Sequence, residues 1–319
     1  MKLNPKLERL LFEGIDPIRL DVYGRALTLA FLVYMTYLFT HASEWLTDAG
    51  FHLSRSTQLM HAATPWSTMP QWMVPLFALV LYGSCLCLIF GRFTRIAIWV
   101  ALACAVYVQR VDSLSAFALN KLVIVGFLVI ALAPPARPVK RNDGTTVWLQ
   151  SAWPVRILQA TLLIIYVTSA ICKSFYGDWL QHNDVVWSVI QGVFRTDLSS
   201  ALLGILPVWV FTLLQWFVLG FELLAPALLI PRRLRPIGIA CGVALHAGLA
   251  MMMSTVIFFS LQMVTYYLLF VPSETLHQIR RWYTPARPSS ATDTLAQIRE
   301  ITVGSASDAD KLKAIEDLL

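Results

Sequence analysis

The sequence predicts an all-α, polytopic integral membrane protein of about eight transmembrane helices, and three observations carry that reading. Of its 319 residues, 57% are hydrophobic and 14% charged, against about 25% charged in a soluble domain, and the mean hydropathy is +0.63. The apolar residues are gathered into runs near the length of about 20 residues that crosses a hydrocarbon core. The basic residues, 25 Lys+Arg against 19 Asp+Glu, fall between those runs rather than on one patch, so the partner they point to is the lipid bilayer and not nucleic acid.

Residues 1–21 form a cytoplasmic or interfacial amphipathic segment, in which Leu7, Leu10, Leu11, Ile15 and Ile18 recur at helical spacing among Lys6, Glu8 and Arg9, as in a helix lying in the headgroup layer. Residues 22–272 form the transmembrane domain. Its apolar runs cover roughly 22–41, 71–90, 93–110, 114–133, 155–173, 207–230, 236–253 and 254–272, and each is read as one helix because lipid tolerates no unpaired backbone. The stretch 185–206 is apolar but broken by Gln191, Gly192, Arg195 and Asp197, which suits a re-entrant or interfacial segment. Residues 273–319 make a short polar cytoplasmic tail, with a linker at 287–290 and an amphipathic helix at 309–319.

Loop charges orient the domain, because cytoplasmic loops are enriched in Lys and Arg. With both termini inside, the inner segments hold 20 basic residues and the outer ones four, Arg55, Arg110, Lys173 and Arg195. The expected location is therefore the plasma (inner) membrane, multi-pass, with cytoplasmic termini. The first apolar run begins too far into the chain for a cleavable signal peptide. Cys85, Cys87, Cys104, Cys172 and Cys241 lie within apolar stretches without metal-ligand spacing. No phosphate loop, metalloprotease motif or fixed-period repeat is present.

An ionisable side chain at the membrane centre costs at least about 2.5–3.5 kcal/mol and usually marks function. Four such residues lie within the runs: Lys121, Lys173, Glu222 and His246. Lys173 ends the fifth run on the outer side. It is either a headgroup-anchoring lysine or, when partly desolvated, a neutral amine able to act as a base. His246 is either a hydrogen-bonded packing residue or a partner of Lys173. Glu222, beside Pro226, is placed nearer the cytoplasmic side and is expected not to reach Lys173. Arg110, Asp112, Lys121 and Asp178 fall in the outer half with Lys173 and are expected to supply polar groups to an outward-facing cavity.

From Arg156 onward the order of Tyr166, Lys173, Gly177-Asp178-Trp179, Glu222, His246, Phe259 and Phe270-Val271-Pro272, with Asp112-Ser113-Leu114 upstream, resembles the horizontally transferred transmembrane (HTTM) domain family. That family includes the membrane part of vitamin K-dependent γ-glutamyl carboxylase and the sporulation-delaying protein B. The resemblance covers roughly residues 16–272 and implies an HTTM-like helical bundle. It implies Lys173 as the base that starts oxygenation of a reduced naphthoquinone, His246 near the quinol, and Tyr166, Trp179 and Phe259 around it. Size and architecture are closer to the sporulation-delaying type, which implies maturation or modification of a secreted peptide or protein at the outer face, with an accessory protein. A quinol-dependent, carboxylase-like membrane enzyme is the alternative.

Overall fold

In hydrocarbon a backbone N–H or C=O finds no water, so apolar runs satisfy themselves as helices. The computed structural model, which describes residues 4–50, 67–111, 118–141 and 144–283, follows that rule. The helices are α1 Pro5–Phe12, α2 Ile18–Phe39, α3 Ala42–Leu46, α4 Val74–Ile89, α5 Thr94–Val111, α6 Ala118–Leu132, α7 Trp153–Phe175, α8 Val185–Val189, α9 Asp197–Ile205, α10 Val208–Leu229, α11 Arg235–Met252, α12 Val256–Tyr267 and α13 Ser273–Tyr283. Among the described residues six are long and apolar enough to cross a membrane: α2, α4 with the turn that precedes it, α5, α7, α10 and α11. The chain is thus an all-α, multi-pass membrane protein. The two remaining apolar runs form shorter helices, α6 of 15 residues and α12 of 12. The chain divides into two units at Val271, and α13 belongs to the second. The amphipathic helix expected at 309–319 lies outside the described residues.

Within the first unit α2 is central, packing on α4, α6 and α12, while α10 packs on α7 and α11. The buried stripe Tyr23, Leu27, Phe31 and Met35 of α2 follows helical spacing. Leu79, Ile96, Ile164 and Leu213 point outward and are more than half exposed, an apolar exterior suited to lipid. Glycine sets the closest approaches. A Cβ at Gly238 would stand 3.0 Å from Leu228, and one at Gly242 would fall on the Tyr267 hydroxyl. These two residues, four apart on one face of α11, admit α10 and α12 as small residues do in membrane bundles.

One feature differs from the sequence reading. The amphipathic helix stops at Phe12, because Gly14–Ile15 forms a strand, β1, against β3. The sheet is antiparallel in the order β1-β3-β2, with β2 Arg137–Lys140 and β3 Thr146–Ser151, and Arg137 opposite Leu149. Gly144, at φ +82°, supplies the left-handed turn residue of this hairpin. The segment 185–206 holds two short helices, α8 and α9. It is tied down where the Ser254 N–H donates to the Phe194 carbonyl at 2.9 Å and the Thr196 hydroxyl to that of Met251 at 2.8 Å.

Candidate functional site

Tyr166 and Lys173 lie seven residues apart on α7 and therefore share a face. Gln215 and Glu222 have the same spacing on α10. These two faces meet. Lys173 Nζ donates to Glu222 Oε1 at 2.5 Å and stands 4.7 Å from the centre of the Trp179 ring, within cation–π range. Glu222 is 6% exposed, and its second oxygen, Oε2, is buried with no hydrogen-bond partner among the described residues. Pro226 removes the N–H that would bond the Glu222 carbonyl, so the helical ladder lacks a rung beside the pair.

The pair stands in a cavity of about 200 Å³ with otherwise apolar walls, among them Leu214, Phe217, Leu245, Leu249 and Met252. Trp179 is held over Lys173 through Gln215, a fully buried side chain. Its Nε2 donates to the carbonyls of Trp179 at 2.8 Å and His182 at 2.6 Å, and its Oε1 accepts from the Val185 N–H at 3.0 Å. One buried amide thereby fixes the turn that follows α7.

Behind the cavity wall lies a second polar group. The Tyr166 hydroxyl is 2.8 Å from His246 Nε2 and also hydrogen-bonds the Tyr267 hydroxyl. His246 is 2% exposed, and its Nδ1 has no partner among the described residues. Phe259 packs edge-on against the imidazole at 6.0 Å, and Phe221 packs on Tyr166 at 5.2 Å.

The sequence expectation about Glu222 is therefore reversed. Glu222 lines the cavity with Lys173, while His246 does not line it. Two geometric facts explain the error. The first turns of α10 project past the end of α7, since Gln215 is level with Trp179 and His182. Helical side chains also lean toward their own N-terminus, so on these antiparallel helices Lys173 and Glu222 lean in opposite directions and meet.

The other expected site residues are scattered. Asp178 is exposed beside Trp179, Lys121 is exposed on α6, and Arg110 is half-buried in the last turn of α5; none lines the cavity around Lys173. The α5–α6 hairpin packs on α2 and α4, away from α10 and α11, which separates Arg110 from the pair. Asp112 lies outside the described residues. Phe259 borders a different cavity, of about 320 Å³, with Tyr34, Tyr37 and Phe258. Gln215 and Tyr267 were not singled out from sequence, although the Gln215–Glu222 spacing on an apolar helix was a readable signal. Among the described residues no three His, Cys, Asp or Glu side chains converge as metal ligands would.

Gly242→Ala tests the packing behind the site. Its methyl would collide with the Tyr267 hydroxyl, and overpacking of this kind costs about 1–3 kcal/mol. The variant is expected to melt earlier in detergent, whereas Gly220→Ala, where a Cβ meets nothing within 4 Å, is expected to melt as the parent does.

Comparison of the chain with models of known protein families, with curated proteins and with solved structures finds no match.

Proposed function

We propose that this protein is a membrane enzyme that removes a proton from a small, apolar, hydroxyl-bearing molecule of the quinol class, with Lys173 as base and Glu222 as its proton partner. The observation that carries the reading is the amine–carboxylate pair at 2.5 Å in an otherwise apolar cavity. Charges are expensive in such a place. A proton passed from Lys173 Nζ to Glu222 Oε1 leaves a neutral amine and a neutral carboxylic acid, and neither then has to be held as an ion. The neutral amine can accept the hydroxyl proton of a bound molecule, becoming ammonium as the oxygen becomes anionic. The adjoining ammonium, itself stabilised over the Trp179 ring, then stabilises that negative oxygen in place.

The lining suits such a ligand. Its walls are aliphatic and aromatic, its polar groups lie together, and Glu222 Oε2 is an acceptor in need of a donor. A naphthoquinol, when bound, would supply the acidic hydroxyl and the reducing electrons. The resemblance to the HTTM family agrees with this reading, with α6 and α12 completing eight spans and the cavity toward the outer face. Modification of a secreted peptide is the outcome that the resemblance implies. The cavity itself favours the small ligand, because a peptide backbone needs hydrogen-bond partners along its length and this lining offers two side chains.

The test is purification with native lipids, followed by identification of any copurifying aromatic lipid and assay of its turnover. A copurifying quinone-class molecule whose reduced form is consumed is the expected result. Phospholipid alone, with no turnover of added naphthoquinol, would remove the enzyme reading.

A further inference from the structure

A cavity of about 360 Å³ lies at the other end of the bundle, where α2 meets the α4–α5 turn and the segment that follows α6. Two arginines line it. Arg25 Nε donates to Asp21 Oδ1 at 3.1 Å, and its Nη1 donates to the Ile89 carbonyl at 2.7 Å. Arg95 Nη1 donates to the Ala133 carbonyl at 3.0 Å. Each guanidinium is thus pinned by the carbonyl end of a helix, that of α4 or α6. A guanidinium carries five N–H donors, so each keeps several beyond those bonds. With Asp21 as the carboxylate in the lining, the charged side chains of the cavity sum to one positive charge.

The remaining walls are mostly apolar, with Leu88, Ile98 and Ile130 among them, interrupted by the polar side chains of Thr28, Thr94 and Gln150. Phe90 and Phe93, which bracket the turn beside Arg25, are 71% and 77% exposed, as residues facing lipid are. Gly91, at φ +71°, brings that turn so close that a Cβ there would stand 3.1 Å from Arg25 Nη2. The site therefore combines oriented cationic donors with a hydrocarbon wall opening toward lipid. A free inorganic anion would use only the first of these. A lipid phosphate uses both.

We propose that this cavity binds the phosphate of an anionic membrane lipid between Arg25 and Arg95, with an acyl chain along Leu88, Ile98 and Ile130. Arginine suits the task because its planar fork matches phosphate oxygens, and basic pockets between membrane helices hold lipid headgroups in this way. The site is distinct from the Lys173–Glu222 cavity and does not depend on the activity proposed for it.

The experiment uses the full chain in mild detergent, with phosphatidylglycerol, phosphatidylcholine and inorganic phosphate as probes, read by native mass spectrometry and melting temperature. Phosphatidylglycerol is expected to stay bound and raise the melting temperature, and phosphatidylcholine is not. Arg95→Gln, which can still donate to Ala133, is expected to weaken phosphatidylglycerol binding roughly tenfold or more, and Arg95→Lys by less. Equal binding of the two lipids would overturn the proposal, as would unchanged affinity in Arg95→Gln. Displacement of the lipid by millimolar inorganic phosphate would assign the site to a soluble anion instead. Should Arg95→Gln fail to fold, the lipid preference of the parent and the affinity of Arg95→Lys decide the matter.

Discussion

Lys173→Arg is expected to fold and melt as the parent does and to lose at least about 100-fold in turnover, the lower range for general-base catalysis. Arginine keeps the positive charge, the apolar stem and the pairing with Glu222, and its planar fork suits a carboxylate. It cannot release a proton near neutral pH, so the proton transfer inside the pair that yields a neutral base is blocked. Glu222→Gln is expected to fall by a similar factor, because an amide accepts no proton from Lys173. Turnover of a reduced naphthoquinol measured beside melting in detergent separates chemistry from folding. Full turnover in Lys173→Arg would remove this residue from the base role.

The second expected result concerns stability and is asymmetric. Lys173→Met leaves Glu222, whose side chain is 8% exposed, without its counter-charge. Breaking a buried pair from one side costs about 3–5 kcal/mol, and the low end is expected here because the carboxyl can take up a proton. Glu222→Leu leaves Lys173, whose side chain is 23% exposed, free to turn its head toward water, so about 1 kcal/mol is expected. The double variant Lys173→Met with Glu222→Leu should match or exceed the parent in stability, since apolar replacement of a buried ion pair is often neutral or stabilising, while all turnover disappears. Additivity of the two single changes within about 0.5 kcal/mol would mean that the pair does not form in the membrane.

Much of the fold was legible because one solvent imposes one rule. Each expected apolar run contains a helix, and the helix ends fall within a few residues of the expected limits, as for 93–110 against Thr94–Val111. The sheet was not anticipated. Thr146 to Ser151 reads Thr-Val-Trp-Leu-Gln-Ser, without the alternation of a half-buried strand, so the β2–β3 hairpin turning at Gly144 went unread; the pairing with Gly14 and Ile15, more than 130 residues away in sequence, has no local signature. The candidate site was legible in its residue types and less so in its grouping. Lys173 and Trp179 share one cavity, and Tyr166 and His246 share a hydrogen bond outside it, while Arg110 and Lys121 were placed with them on depth alone. Depth is one coordinate of three, and the turn of the α5–α6 hairpin toward α2 supplied the missing two. Glu222 was excluded for the same reason in reverse, because its depth was counted along the backbone and not at the tip of the side chain.

The missing rung at Pro226 has a mechanical consequence. A helix bends where its ladder is interrupted, and in α10 that point follows the carboxylate that holds Lys173. On one side of it the helix is anchored by Gln215 to the turn that carries Trp179; on the other it packs at Leu228 and Leu229 against Gly238. Flexing about Pro226 swings Glu222 together with the Trp179 turn as one arm, so any force that tilts this arm changes the distances of the Lys173 amine from the carboxylate and from the indole ring together.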